Sequence, residues 1–152
     1  MPGLLSSPRD EYPSLYIKSF KINNLRNIQS AEIVADPVLN VLVGDNGAGK
    51  TTVLEAMIVL AKGRSFRTGQ IASLLGSSGD QFLITARIQV EADRTSAIGV
   101  ERSVKHWRAR RDGKEVRQLS DLAEHLPLVL LEPNSHLLIS GPPDSRRRYL
   151  DW

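Results

Sequence analysis

Hydrophobic and polar residues alternate along several stretches of the chain, and this alternation predicts β-strands. Between residues 82 and 90 every second position is apolar, which is the pattern of a strand that buries one face. Residues 95–104 follow as its antiparallel partner, and residues 15–22 and 30–34 predict two earlier strands. Asp112-Gly113, between basic and alternating flanks, is typical of a hairpin turn. Together these segments predict a sheet with antiparallel strands.

Other segments carry different patterns. Val38–Val43 is apolar almost throughout, which predicts a strand covered on both faces. Lys50–Lys62 predicts a helix that docks on the sheet and ends at Gly63. Its apolar residues recur at helical spacing, and they are Val53, Leu54, Met57, Ile58 and Ala61. Towards the end, Ser120–His125 predicts a short helix and Leu128–Leu131 a buried strand.

The composition is that of an ordinary globular chain. Its 152 residues are enough for one domain, and 41% hydrophobic with 24% charged residues argue against wholesale disorder. The absence of cysteine excludes disulfides and thiolate metal sites. No apolar run approaches the roughly 18 residues of a membrane span. We therefore expect a cytoplasmic protein without membrane contact, with a disordered leader at residues 1–13 and one lobe at residues 14–152.

Positive charge is concentrated in one segment. The net charge is +3, but residues 102–117 contain seven basic and two acidic residues, a local charge of +5. Arg108 and Arg110 would share one face of a strand there, and Trp107 on the opposite face is expected to point to the core. We predict that Arg108, Arg110 and Arg111 form a sequence-independent contact with DNA. The alternative is a solvated charged hairpin.

A glycine-rich stretch between the apolar run and the predicted helix matches G-x-x-x-x-G-K-[ST] at every fixed position. Its residues are Gly44, Asp45, Asn46, Gly47, Ala48, Gly49, Lys50 and Thr51. Glycines let backbone N–H groups converge on phosphate oxygens, and the helix N-terminus favours the same anion. Lys50 would reach the β- and γ-phosphates, Thr51 would ligate Mg²⁺, and Thr52 would meet the α-phosphate. This stretch, the P-loop (residues 44–51), predicts nucleotide binding.

P-loops serve several classes of protein. The guanine-reading Asn-Lys-x-Asp of GTPases is absent from the sequence, which disfavours that class. An apolar run ends at Glu132 and is followed by Pro133, so Glu132 is either a strand-end residue or an acid on the metal side. One alternative to an ATPase is a self-contained phosphotransferase acting on a small molecule, with Arg146–Arg148 as lid residues. Another is an inactive interaction module that kept the loop as a scaffold.

Several spaced motifs resemble known ATPases. Leu25-Arg26-Asn27-Ile28, the P-loop and Leu54-Glu55-Ala56 resemble the ABC/SMC-like ATPases. Gly63-Arg64-Ser65-Phe66-Arg67 and the segment Gly141–Trp152 narrow the resemblance to the RecF family of bacterial recombination mediators. The resemblance implies the first lobe of an α/β P-loop NTPase, with a mixed β-sheet containing antiparallel strands. It also implies an ATP-dependent homodimer that binds single-stranded DNA and gapped duplex in recombinational repair and replication, with RecO and RecR as partners.

The resemblance also assigns residues. The P-loop and Thr52 would hold ATP with Mg²⁺, and Arg26 and Asn27 would lie beside the nucleotide. Arg64 and Arg67 would face DNA, unless they are solvated arginines at a helix end. RecF chains continue into a helical arm, a signature motif and a Walker B strand, none of which is recognisable in this sequence. We therefore expect a truncated lobe that binds ATP without turnover and has no catalytic residue of its own.

Overall fold

The structure is a computed structural model, and it describes residues 15–131 except Ser78 and Ala92. The described residues form six strands, two α-helices and one short 3₁₀-helix. The strands are β1 (Tyr16–Leu25), β2 (Ile28–Val34), β3 (Gln81–Glu91), β4 (Arg94–Ser103), β5 (Trp107–Arg111) and β6 (Lys114–Val116). The helices are α1 (Lys50–Lys62), the 3₁₀-helix (Ile71–Leu74) and α2 (Leu119–His125). Predictions for residues 1–13, Glu132 and Arg146–Arg148 lie outside the described residues.

The six strands form one sheet in the order β2-β1-β3-β4-β5-β6, and each neighbouring pair is antiparallel. The predicted α/β architecture, with antiparallel strands and a P-loop helix, is confirmed. A parallel pair, which would make the sheet mixed, does not occur among the described strands. Within the described part of the chain, neither helix has the length and apolar character of a membrane span.

The face of the sheet towards α1 carries the core. Cross-strand neighbours on this face are apolar, and one row runs Ile22, Ile84, Val100, Ala109 and Val116. These side chains are buried together with residues of α1, among them Val53, Ala56 and Leu60. Full burial of one such large side chain stabilises the fold by about 1.5–3 kcal/mol. The opposite face, which we call the open face, consists of exposed and half-buried residues, among them Ser19, Lys21, Thr85, Arg87, Gly99, Arg108 and Arg110.

Two local predictions are confirmed at turns. The α1 helix ends at Lys62, and Gly63 follows with a left-handed φ of 66° and donates its N–H to the Val59 carbonyl at 2.7 Å. Asp112 and Gly113 have φ values of 49° and 79° and join β5 to β6. Positive φ at both central residues is the conformation that suits a two-residue hairpin loop, because it matches the twist of the strands.

Val38–Val43 is not a strand, and that prediction is wrong. The segment forms no strand pairing with any described residue, and its side chains are exposed, with Val41 at 72% and Val43 at 88%. Local bonds bend the chain before it: Asp36 Oδ1 accepts from the N–H groups of Val38 and Leu39 at 2.8 and 3.1 Å. Leu128–Leu131 is likewise not a strand, and Leu131 is 80% exposed.

Candidate nucleotide-binding site

The P-loop turns sharply at its glycines. Gly47 and Gly49 have φ values of 84° and 95°, a backbone region that side chains with a Cβ rarely adopt. A Cβ at Gly49 would also lie 3.2 Å from Ile28 Cγ1, at the start of β2. The loop therefore reaches α1 only because glycine stands at the position just before the helix.

Lys50 closes the loop on itself. Its ammonium donates to the carbonyl oxygens of Gly44 at 2.7 Å and Asp45 at 2.8 Å. The Ala48 N–H donates to the Asp45 carbonyl at 3.2 Å and tightens the same turn. An ammonium has three donors, so one remains for an anion above the loop. The expected contact of Lys50 with the β- and γ-phosphates stays a prediction, since in this structure its ammonium bonds to the loop carbonyls.

Asn27 braces the loop against the helix. Its side-chain Nδ2 donates to the Gly47 carbonyl at 2.8 Å, and its Oδ1 accepts from the Thr52 hydroxyl at 2.8 Å. Thr52 is buried. The expected contacts of Asn27 and of the Thr52 hydroxyl with a nucleotide stay predictions, since in this structure both groups are used to hold the P-loop.

The first turn of α1 presents backbone N–H donors to the space above the P-loop, next to the Lys50 ammonium. The first N–H groups of a helix have no acceptor within the helix, and the positive end of the dipole adds to their attraction for an anion. Thr51 is exposed on this turn. Mg²⁺ is commonly bound by one or two protein ligands together with phosphates and waters. The Thr51 hydroxyl fits that role, whereas no group of three acidic or histidine side chains occurs among residues the structure describes.

Glu55 is a site residue that the sequence analysis missed except as part of a motif. Its side chain is 0% exposed, yet it carries a charge. Arg26 contacts it twice, through Nε to Oε2 and through Nη2 to Oε1 at 2.8 Å, and the Ser65 hydroxyl donates to Oε1. Arg67 Nη1 lies 3.5 Å from Oε2. The sequence did hold a signal, a glutamate between the apolar positions of a docked helix. A glutamate buried at such a position is expected to be paired with a cation, because glutamates are rarely buried otherwise.

Burial and pairing act in opposite directions on Glu55. Burial raises the pKa of its carboxyl, whereas hydrogen bonds from Arg26 and Ser65 and the charges of Arg26 and Arg67 lower it. The pairing prevails, so the pKa of Glu55 lies below its usual value of 4.5. The hydrogen bond to Glu55 correspondingly raises the pKa of Arg26. The site therefore contains a charged carboxylate at neutral pH.

Arg26, expected beside a nucleotide, is engaged with α1 and the 3₁₀-helix. Besides the contacts to Glu55, its Nη1 donates to the Ser73 carbonyl at 3.1 Å and its backbone N–H to the Leu74 carbonyl at 2.8 Å. A guanidinium engaged in this way holds the 3₁₀-helix and α1 together. A direct contact of Arg26 with a nucleotide stays a prediction that this arrangement does not favour.

The arginines predicted to bind DNA lie on three surfaces. Arg64 and Arg67 are exposed on the loop after α1. Arg108 and Arg110 lie on the open face, where Arg110 is the cross-strand neighbour of Gly99. Arg111 instead pairs with Ile98 and so points to the face that carries the core, with Trp107, which packs on that core as predicted. The structure therefore separates Arg111 from Arg108 and Arg110.

Sequence comparison shows similarity to bacterial repair proteins. The chain is 40% identical over 146 residues to the DNA replication and repair protein RecF of Stenotrophomonas maltophilia (strain R551-3), which covers 91% of this chain and 39% of that protein. It is 39% identical over 132 residues to the protein of the same name from Klebsiella pneumoniae (strain ATCC 700721 / MGH 78578), covering 86% and 37%. The chain thus spans less than half the length of these curated relatives.

Solved structures share the fold. A structure of the recombination mediator protein RecF-ATP in the RecFOR pathway matches with a TM-score of 0.80 and 26% identity, over 91% of this chain and 38% of that one. A chain from work on ATP-driven dimerization and DNA-stimulated activation of SMC ATPases matches with a TM-score of 0.73 and 16% identity, over 90% and 98%. At that identity the second likeness shows the fold alone.

The family model described as the RecF/RecN/SMC N terminal domain matches residues 16–136, which include both the P-loop and the whole described sheet. The glycine conformations, the lysine over the loop and the helix behind it are the features that a phosphate-binding member of such a family requires. This chain therefore belongs to the RecF/RecN/SMC N-terminal domain family.

Proposed function

We propose that this chain is the ATP-binding lobe of a RecF-type DNA-binding protein of recombinational repair and replication-gap processing. ATP would switch its dimerisation and its affinity for DNA. The observation that carries the proposal is the P-loop, closed by Lys50 and braced by Asn27 at the N-terminus of α1. The relatives named RecF and the RecF-ATP structure support this function over a small-molecule phosphotransferase.

The P-loop geometry suits a triphosphate tail with its metal. Backbone N–H groups at the start of α1 would bind the phosphate oxygens, and the remaining donor of Lys50 would add a charge-assisted bond. Thr51 would supply one oxygen to Mg²⁺, which neutralises the phosphates and leaves the rest of its coordination to them and to water. The chain's own residues thus bind and orient the nucleotide.

Turnover would need groups that the described residues do not supply. Hydrolysis requires an acid or a polar side chain that positions the attacking water. Glu55, the buried carboxylate on the P-loop helix, is already paired with Arg26 and is therefore not available to position a water. We therefore propose nucleotide binding without turnover by this chain, and steady ATP hydrolysis that disappears in Lys50→Ala would contradict it.

Two exposed basic surfaces would bind DNA. One is the 63–68 loop with Arg64 and Arg67. The other is the open face, where Arg87 and Arg110 flank β4 and have no carboxylate within 4.0 Å in the described part of the chain. β4 contributes only the small residues Ala97 and Gly99 between them, so a cavity of about 430 Å³ is left on this face. The arginines beside this cavity would contact phosphates without reading bases.

The expected assembly follows from the family. An ATP-dependent homodimer is part of the proposal and is supported by the similarity to the RecF proteins. RecR and RecO are proposed as protein partners because of the similarity to RecF proteins. Both proposals concern the whole protein. This chain matches only 39% of the length of the curated relative from Stenotrophomonas maltophilia.

Calorimetric titration with MgATP tests the proposed function. We expect the wild-type chain to bind with a 1:1 stoichiometry and the Lys50→Ala chain to bind at least tenfold more weakly, because it loses the charge above the loop. Lys62→Ala, at the other end of α1, is the matched control and should bind as wild type does. If the wild type gives no binding signal with MgATP, ADP or GTP, the proposed function is wrong.

A further inference from the structure

Glu55 joins the nucleotide-binding loop to a candidate DNA-binding loop. It lies one helical turn after Thr51 and Thr52, so its backbone moves with the end of α1 that carries the P-loop. Its carboxylate is fully buried, and a buried charge is tolerated only where partners surround it. The partners come from two segments, the turn after β1 and the loop after α1.

On one side the partner is the turn that braces the P-loop. Arg26 contacts both carboxylate oxygens of Glu55. The next residue, Asn27, bonds to Gly47 in the P-loop and to Thr52 on α1. The P-loop, this turn and Glu55 therefore form a closed ring of contacts around the first turn of α1. A movement of the P-loop on nucleotide binding would displace Glu55 by two routes, along α1 and through the turn that carries Arg26 and Asn27.

On the other side the partner is the 63–68 loop. The Ser65 hydroxyl donates to Glu55 and accepts from the backbone N–H groups of Arg67 at 2.9 Å and Thr68 at 3.2 Å. Ser65 thus sets the path of the backbone on which Arg67 stands. The Arg67 side chain is 44% exposed and makes the longest contact of the cluster, 3.5 Å to Glu55.

We propose that Glu55 is a positioning residue that, through Ser65, couples occupation of the P-loop to the binding of phosphate groups by Arg67. Arg26 continues to neutralise Glu55 when Arg67 turns to a ligand, so the exchange leaves no buried charge unpaired. A loaded P-loop rigidifies the ring and therefore the 63–68 loop, which lowers the ordering cost of a second ligand there. MgATP and DNA then tighten each other's binding.

The inference rests on the proposed function, and one experiment separates the two. The affinity of the full chain for a fluorescent single-stranded oligonucleotide is measured with and without saturating MgATP, for wild type, Ser65→Ala and Ser73→Ala. Ser65→Ala removes the relay and spares the ion pair of Arg26 and Glu55. Ser73→Ala is the matched control, because its hydroxyl bonds to Gln70 and Thr68 and not to Glu55. Thermal melting and MgATP affinity are measured for each chain.

We expect MgATP to tighten DNA binding of the wild type and of Ser73→Ala by a factor within the usual range of coupling, about 5- to 150-fold. In Ser65→Ala this factor should fall to about one while MgATP affinity stays near wild type, and melting should fall modestly because the buried Glu55 carboxylate loses one hydrogen bond. A Ser65→Ala chain that keeps the wild-type factor would overturn the inference. So would a wild type that binds both ligands independently. A wild type that binds neither MgATP nor DNA overturns the proposed function and the inference with it.

Discussion

The side chain of Asn27 donates a hydrogen bond of 2.8 Å to the backbone carbonyl of Gly47, 20 residues further along the chain. The bond ties the turn between β1 and β2 to the apex of the P-loop. Asn27 also accepts from Thr52, so one amide holds both the loop and the helix behind it. The P-loop is therefore organised by a residue outside the motif by which it is recognised.

Asn27→Ala should weaken MgATP binding by about 1–3 kcal/mol, because the P-loop loses its bond at Gly47 and the buried Thr52 hydroxyl loses its acceptor. Asn27→Asp should weaken it at least as much, because a carboxylate faces the Gly47 carbonyl without a donor and adds negative charge near the phosphates. Calorimetric titration measures both. Asn23→Ala is the control, since Asn23 bonds to Ser30 away from the P-loop. Unchanged affinity in Asn27→Ala would contradict the bracing role.

Gly49→Ala should lower both the melting temperature and MgATP affinity. The substitution puts a Cβ at φ 95°, and a left-handed conformation costs an L-residue about 1–2 kcal/mol. The Cβ also meets Ile28 at 3.2 Å, so the P-loop must shift or Ile28 must repack. Gly69→Ala is the matched control, because a Cβ there has open space and no unusual φ. Equal melting of the two variants would contradict the geometry of the loop.

Glu55→Gln should destabilise the fold by about 3 kcal/mol, in the range for breaking a buried ion pair, because Arg26 keeps its charge and loses its partner. The effect depends on pH. Since the folded state lowers the pKa of Glu55, its contribution to stability is complete above the usual pKa of 4.5 and is lost as the pH falls through the lower folded value. Denaturant unfolding of both chains at pH 7 and in acid measures this.

The control for that experiment is Glu115→Gln, an exposed glutamate on β6. It should change the free energy of unfolding little at any pH, as surface charges usually do. The difference between wild type and Glu55→Gln should shrink as the solution becomes more acidic than the usual glutamate pKa. A difference that grew in acid would show that Glu55 is protonated in the folded protein.

Salt dependence distinguishes the arginines of the two sheet faces. Each phosphate that a cation neutralises on duplex DNA contributes about 0.9 to the slope of log affinity against log salt. Arg110→Ala and Arg87→Ala should each reduce the slope by about that amount, because both side chains lie on the open face. Arg111→Ala is the matched control on the opposite face and should leave the slope unchanged. Wild-type slopes in both Arg87→Ala and Arg110→Ala would contradict DNA binding at the open face.

The hydrophobic pattern predicts well those elements whose local sequence is sufficient to favour their conformation. The α1 helix has recurring apolar residues and a glycine at its C-terminal end, and β3 alternates from Phe82 to Ile88, so local sequence and final packing agree there. The agreement ends at Leu54, which is 42% exposed, and at Gln89, which is buried. Val38–Val43 has the composition of a buried strand, but a strand also needs a neighbour to pair with, and the described sheet offers none. The hydrophobic pattern of a segment indicates which side chains could be buried, but it does not show whether a neighbouring strand is available for pairing.

The chemistry of the site divides in the same way. The P-loop was predictable because its residues are consecutive, and their order alone encodes the turn and the lysine. The cluster of Arg26, Glu55, Ser65 and Arg67 brings together residues up to 41 positions apart, whose contacts arise from how β1, α1 and the following loop pack. The spacing of these four residues along the chain does not predict that their side chains are in contact. The assignment of Arg26 to a nucleotide rested on resemblance, and the contacts point it to Glu55.

The bare apolar surface of Val38–Val43 has a thermodynamic signature. Water ordered around exposed valine and leucine side chains is released when they are covered, and this gives a negative change in heat capacity. Whatever covers this surface should therefore bind with an enthalpy that becomes more favourable on warming. A titration repeated at several temperatures would detect that coverage even where affinity alone looks ordinary.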